Sequence, residues 1–125
     1  IDLLNKTTET LDSEPIRLLA GPDCQGCEDR VEMYDADRAA GLKYEGGITT
    51  IAQDTLSVQL RSDVQGGPGA RINSGGTGSA LTVLDAGSPV AERSYPTYDL
   101  SFSVSVAWFP AQLSWHVASL SLVVA

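Results

Sequence analysis

The sequence predicts an α+β domain: an antiparallel β-sheet with a short N-terminal helix packed on it and a long C-terminal β-hairpin. Three observations predict it. Tyr98, Leu100, Phe102, Val104, Val106 and Trp108 alternate with Asp99, Ser101, Ser103, Ser105 and Ala107, the period of a half-buried strand. Leu3, Leu4, Thr7, Thr8 and Leu11 fall at helical spacing and make one stripe. A chain of 125 residues, 42% of them hydrophobic, suits one domain with a modest core. The expected organisation is therefore a single domain over residues 1–125, with a flexible Gly-rich loop at 65–79.

The elements follow in order. Residues 2–12 read as a helix, with Asp2 in the first turn, where a negative charge meets the positive helix end. Pro15 interrupts it or begins a second turn through Ile16, Leu18 and Leu19, and Gly21-Pro22 is a stop. A helix this short is not stable alone, so it has to pack on something. Residues 22–54 read as irregular around one strand at 30–35, with Val31 and Met33 on one face and Glu32 and Tyr34 on the other. A polar excursion from Asp37 to Tyr44 follows, then a turn at Gly46-Gly47 and a short edge strand at 48–51.

Residues 55–61 alternate strictly, which predicts a strand with Leu56, Val58 and Leu60 inward. Residues 65–79 contain Gly66, Gly67, Gly69, Gly75, Gly76 and Gly78. With so few side chains to bury, that stretch is expected to be a mobile loop or arm. Residues 80–84 fit either a strand or one or two helical turns. The run from Tyr98 to Trp108 is the strongest element, and Pro110 marks the turn after it. On the return, Leu113, Trp115 and Val117 are odd-numbered while Leu120, Leu122 and Val124 are even. A change of parity would turn half of these side chains outward. A β-bulge at Ala118-Ser119 is expected to keep both halves facing the core. There is no internal repeat.

The charges divide the chain. Of 16 acidic side chains, 13 lie in residues 1–63, and the formal net charge is −8. Such a balance argues against a nucleic-acid-binding surface, which needs clustered Lys and Arg. No window approaches 18 continuous apolar residues, so no membrane span is expected. Residues 1–6 lack a basic start followed by an apolar run, and the first residue is Ile rather than Met, which points to something upstream. The polar positions of the last two strands are mostly Ser. Either this is chance composition, or the face meets another subunit, where charge is depleted.

No constellation of catalytic residues stands out. Cys24-Gln25-Gly26-Cys27 lies among Asp23, Glu28 and Asp29, carboxylates that would raise a thiol's pKa. Structural or incidental thiols, a local disulfide, and metal or redox work all remain open for it. Two Cys and one His cannot fill an ordinary four-ligand Cys/His site. Asp23, Glu28, Asp29, Glu32, Asp35 and Asp37 invite a calcium reading, but Arg38 stands where a third ligand should be, so solvated surface charge is the better account. His116 has no visible partner, no Gly-x-Ser-x-Gly elbow exists, and no Gly-Lys-Ser/Thr follows the glycines. The expectation is a non-enzymatic protein without catalytic, cofactor-binding or metal-binding residues. A small enzyme built on the acidic loop is the least favoured reading.

The order of elements carries a pattern-level resemblance. A Leu-rich start over residues 1–11, a strand-like Val31-Glu32-Met33-Tyr34-Asp35, the strand Leu56-Ser57-Val58-Gln59-Leu60-Arg61 and a terminal hairpin together resemble the tail-terminator and minor-capsid proteins of the head–tail junction in tailed bacteriophages. The family usually places a helix after the Val-Gln-x-Arg-like strand, where this chain has its glycines. The resemblance implies a virion structural protein whose subunits close into a ring and dock tail-tube and connector proteins, without catalysis. It implies subunit contacts through Asp35, Asp37, Arg38, Lys43 and Tyr44, through Arg71, and through Ser101, Ser103 and Ser105. The rival expectation is an extracytoplasmic pilin-like or adhesin domain whose N-terminal hydrophobic segment is missing, with Cys24 and Cys27 oxidised.

Overall fold

The computed structural model describes residues 1–64 and 67–124. It is an α+β fold that opens with three helices, α1 (Asp2–Thr10), α2 (Glu14–Leu19) and α3 (Gln25–Ala39). Eight strands follow: β1 (Leu42–Gly46), β2 (Thr49–Ile51), β3 (Ser57–Val64), β4 (Gly67–Gly78), β5 (Leu81–Asp85), β6 (Ser88–Pro89), β7 (Tyr98–Phe109) and β8 (Ser114–Val124). Short 3-10 turns at Gln53–Thr55 and Ala91–Arg93 complete it. The larger sheet runs β2-β4-β7-β8, with β3 beside β2 on the same edge of β4; the smaller runs β1-β5-β6. All strand pairings are antiparallel.

The helices and β8 enclose the core. Leu11, Ile16, Cys24, Cys27, Val31 and Tyr34 are buried together, and Leu4, Ala20, Tyr44, Val117 and Leu120 pack against them. Ala20 bridges to Val117, and the Gly21 N–H donates to the Val117 carbonyl at 2.7 Å, which ties the end of α2 to β8. Gly26 needs its missing side chain, because a Cβ would sit 2.0 Å from the Leu120 carbonyl oxygen. On α1, the Thr7 and Thr8 hydroxyls donate back to the Leu3 and Leu4 carbonyls at 3.0 Å, so both can be buried without an orphaned donor. The Asn5 amide donates to the Thr49 carbonyl at 2.9 Å and its oxygen accepts from the Thr49 N–H at 2.8 Å, which docks α1 on β2.

Several expectations hold. The N-terminal helix, the break before Pro15, the edge strand near 49–51 and the terminal hairpin are all present. The bulge is present as well: Ser105 faces Ser119 and Val106 faces Val117, which leaves Ala118 as the extra residue of β8. Residues 80–84, open between strand and helix, lie mostly in strand β5.

Others are corrected. Residues 22–54 are not irregular, and 30–35 is not a strand; it lies inside the 15-residue helix α3. Val31 and Met33 alternate over too few positions to decide, whereas Cys27, Val31 and Tyr34 are buried at i, i+4 and i+7. The excursion at 37–44 divides between the last turn of α3, a turn at Gly41 and β1. The Gly-rich stretch is not a loop over its described part: Gly67–Gly78 is the 12-residue strand β4, paired on both edges. Gln65 and Gly66 lie outside the described residues. Three ladders, with β2 and β3 on one edge and β7 on the other, pair the backbone of β4, and its glycines leave room for neighbours: a Cβ on Gly78 would lie 2.3 Å from the Tyr98 ring. Leu56, Val58 and Leu60 are not inward but exposed.

Candidate interaction surface

The register of the larger sheet sorts its side chains into rows. Residues paired across strands point to the same face. One row is Val58, Ile72, Val104 and Leu120, and the next is Leu60, Ala70, Val106 and Val117. Both rows are apolar across four strands. At the β8 end, Leu120 and Val117 pack into the helical core. At the β3 end nothing in the described chain covers them: Val58 is 58% exposed and Leu60 88%. The three helices are too few to span the sheet and roof only one end of each row.

The sheet carries two further features, one at that open end and one at the tip of the β7–β8 hairpin. Among the described residues β3 pairs only with β4, so its outer edge presents unpaired N–H and C=O groups. An edge strand whose apolar residues stand exposed is a template for pairing with another chain. Trp108 and Trp115 face each other on the same side near the hairpin tip, with ring centroids 5.9 Å apart, and Trp115 and Leu113 are exposed.

The opposite face is polar. Its rows are Ser57, Asn73, Ser103 and Ser121, then Gln59, Arg71, Ser105 and Ser119. No described helix covers it. Ser101, Ser119, Ser121 and Arg71 are exposed, Ser103 is half-buried, and Ser105 is buried. Arg61 and Asp63 pair on the exposed rim, and the contact holds the Asp63 carboxyl below its ordinary range. His116 sits edge-on against Phe109 with its Nε2 2.7 Å from the Ser114 hydroxyl, and its buried Nδ1 has no partner among the described residues.

The residues expected at subunit contacts divide accordingly. Arg71, Ser101, Ser103 and Ser105 share the uncovered polar face. Arg38 and Lys43 are exposed elsewhere, on α3 and β1. Asp35, Asp37 and Tyr44 do not sit on a loop reaching outward; they are engaged inside the chain. Asp35 accepts from the Ser13 hydroxyl at 2.5 Å and pairs with Arg17, and the Ser13 bond is foremost in holding its carboxyl below the ordinary range. Asp37 is 5% exposed; Arg93 donates to both its oxygens and Tyr44 donates its hydroxyl to one. The Arg93 bonds, opposed by burial, lower the Asp37 pKa, while burial and the Asp37 charge push the Tyr44 hydroxyl up. Leu60 and Val58 were missed as surface residues because alternation identifies a strand's apolar face but not what lies over it.

Cys24 and Cys27 form a disulfide at the start of α3, both sulfurs belonging to buried residues. No group of three or more His, Cys, Asp or Glu side chains among the described residues is arranged to hold a metal ion. No described helix is long and apolar enough to cross a membrane. In comparisons with known proteins, no family model matches the chain and no curated protein matches it either.

Proposed function

We propose that this protein is a structural subunit that acts by assembling with other copies of itself, and that its setting is a ring at the head–tail junction of a tailed bacteriophage. One observation carries the assembly reading: two apolar rows, partly buried against the helices at β8, run uncovered to the free edge of β3. A neighbouring copy laid on that end would cover Val58 and Leu60 and supply partners for the strand edge. If the covering surface differs from the covered one, the contact is heterologous and repeats until a ring closes. The charge-poor serine face suits a second contact, with the tail-tube and connector proteins that such a ring would touch. The virion setting rests on the sequence pattern alone. Two features weigh against it: residues 31–35 are helical, and the strand β4 follows Arg61 where the family has a helix.

Negative-stain electron microscopy of the purified chain tests this reading. Closed rings of uniform size are expected. Single particles of about the mass of one chain at every concentration would overturn it. A second reading has its own support. The Cys24–Cys27 disulfide suits an oxidising compartment and favours the extracytoplasmic pilin-like or adhesin domain. Thiol titration of protein isolated from its native source separates the two, since free thiols go against the second.

A further inference from the structure

The space between the two sheets and the helices is not filled. A cavity of about 390 Å3 lies between α1, α3, β1, β5 and the adjoining ends of β7 and β8. That size is within the range of small-molecule sites, about 300–1,000 Å3. Its wall holds all four tyrosines of the chain, Tyr34, Tyr44, Tyr95 and Tyr98, among aliphatic side chains. Two of the hydroxyls already have partners within the chain: Tyr44 donates to Asp37, and Tyr34 lies 3.0 Å from the Thr8 hydroxyl. The rings thus offer apolar surface, with Tyr34 and Tyr44 tilted against each other at a centroid distance of 6.2 Å.

The charged groups on this wall run against the rest of the molecule. The chain carries 16 carboxylates and 8 basic side chains, yet none of the cavity residues is Asp or Glu and two are arginines. Arg93 is committed to Asp37. Arg30 stands three and four residues before Met33 and Tyr34 on α3, so all three share the stripe that faces the space. Arg30 makes no ion pair among the described residues. A guanidinium beside an aromatic, apolar cavity is matched by a carboxylate on an apolar body, because the planar fork binds both oxygens. A cation is disfavoured there by Arg30, since the charge of Arg93 is offset by Asp37.

We infer that this cavity is a binding site for a small amphiphilic carboxylate, its apolar body among the tyrosines and its carboxylate on Arg30. The inference is independent of the assembly reading, since the cavity shares no residue with the open rows at β3. Isothermal titration calorimetry of the full chain with decanoate, kept below micelle formation, tests it. Saturable one-to-one binding is expected, with decan-1-ol and decyltrimethylammonium each at least tenfold weaker. Arg30→Gln should weaken decanoate at least tenfold and leave decan-1-ol unchanged. Met33→Trp, which fills the cavity from a partly exposed helical position, should abolish binding while circular dichroism shows the native fold. Absence of saturable binding to folded wild-type protein overturns the inference. So does equal affinity for the acid and the alcohol, or an Arg30→Gln chain that binds decanoate like wild type.

Discussion

Arg93 donates two hydrogen bonds of 2.7 Å to the carboxylate of Asp37, joining the turn before β7 to the last part of α3 across 56 residues of sequence. Asp37 is buried and Arg93 is partly open, so the pair locks the smaller sheet to the helices from one side. Removing one partner of a fully buried pair costs about 3–5 kcal/mol because the other charge is stranded. Arg93 keeps some solvent, so Arg93→Met should cost less, about 2–3 kcal/mol by urea denaturation at neutral pH. A change below about 0.5 kcal/mol, the size of an ordinary surface substitution, would show that the pair does not hold the layers together.

The same pair sets a pH dependence. Arg93 holds the Asp37 carboxyl below its ordinary value of 3.8, so the native state binds fewer protons there than the unfolded chain. The stabilisation is full above that ordinary value and is lost as pH falls through the lower folded value. Thermal melts should therefore drop steeply below about pH 4. Asp37→Asn should lower the melting temperature at neutral pH and make the acid limb shallower. The limb should not vanish, because Asp35 and Asp63 are shifted in the same direction.

Adjacent glycines on β4 should respond differently. A Cβ on Gly76 would come within 2.3 Å of the Thr50 carbonyl oxygen, a backbone atom of the neighbouring strand. A Cβ on Gly75, on the opposite face, would meet nothing closer than 3.4 Å. Gly76→Ala should cost about 1–3 kcal/mol as the strands are pushed apart. Gly75→Ala should be neutral or slightly stabilising. Equal losses from both would mean that β4 is not held in this register.

The disulfide should stabilise without directing assembly. It closes a loop of only four residues, for which chain entropy predicts about 2 kcal/mol. The double variant Cys24→Ala, Cys27→Ala should melt earlier and still assemble as the wild type does. Loss of assembly at a temperature where the variant remains folded would give the disulfide a role at the contact.

Strong periodicity was readable from residues alone. Tyr98 to Trp108 and the parity change at Ala118 led to β7, β8 and the bulge, because large side chains on one face leave few alternatives. Residues 25–39 were misread because α3 has a weak apolar stripe and spends Asp37 and Arg30 on partners and spaces far away in sequence. The glycines of β4 misled for a different reason. Composition measures what a segment can bury with its own side chains, whereas β4 is held by β2, β3 and β7 on its two edges, with the Tyr98 ring lying across Gly78. Of the expected contact residues, Ser101, Ser103, Ser105 and Arg71 fall on one face. Asp35 and Asp37 were indistinguishable from solvated charge until Arg17 and Arg93 came into reach.

Sedimentation equilibrium of the wild-type chain beside Leu60→Lys measures most directly whether the β3 end of the sheet is covered by another copy. Leu60 is 88% exposed in the single chain, so the substitution should leave the fold of that chain intact, read as an unchanged circular dichroism spectrum. The wild type should self-associate in a concentration-dependent manner, and Leu60→Lys should sediment as a single chain under the same conditions. A wild-type chain that stays monomeric at the highest concentration reached, or a Leu60→Lys chain that associates as the wild type does, would contradict assembly through this surface.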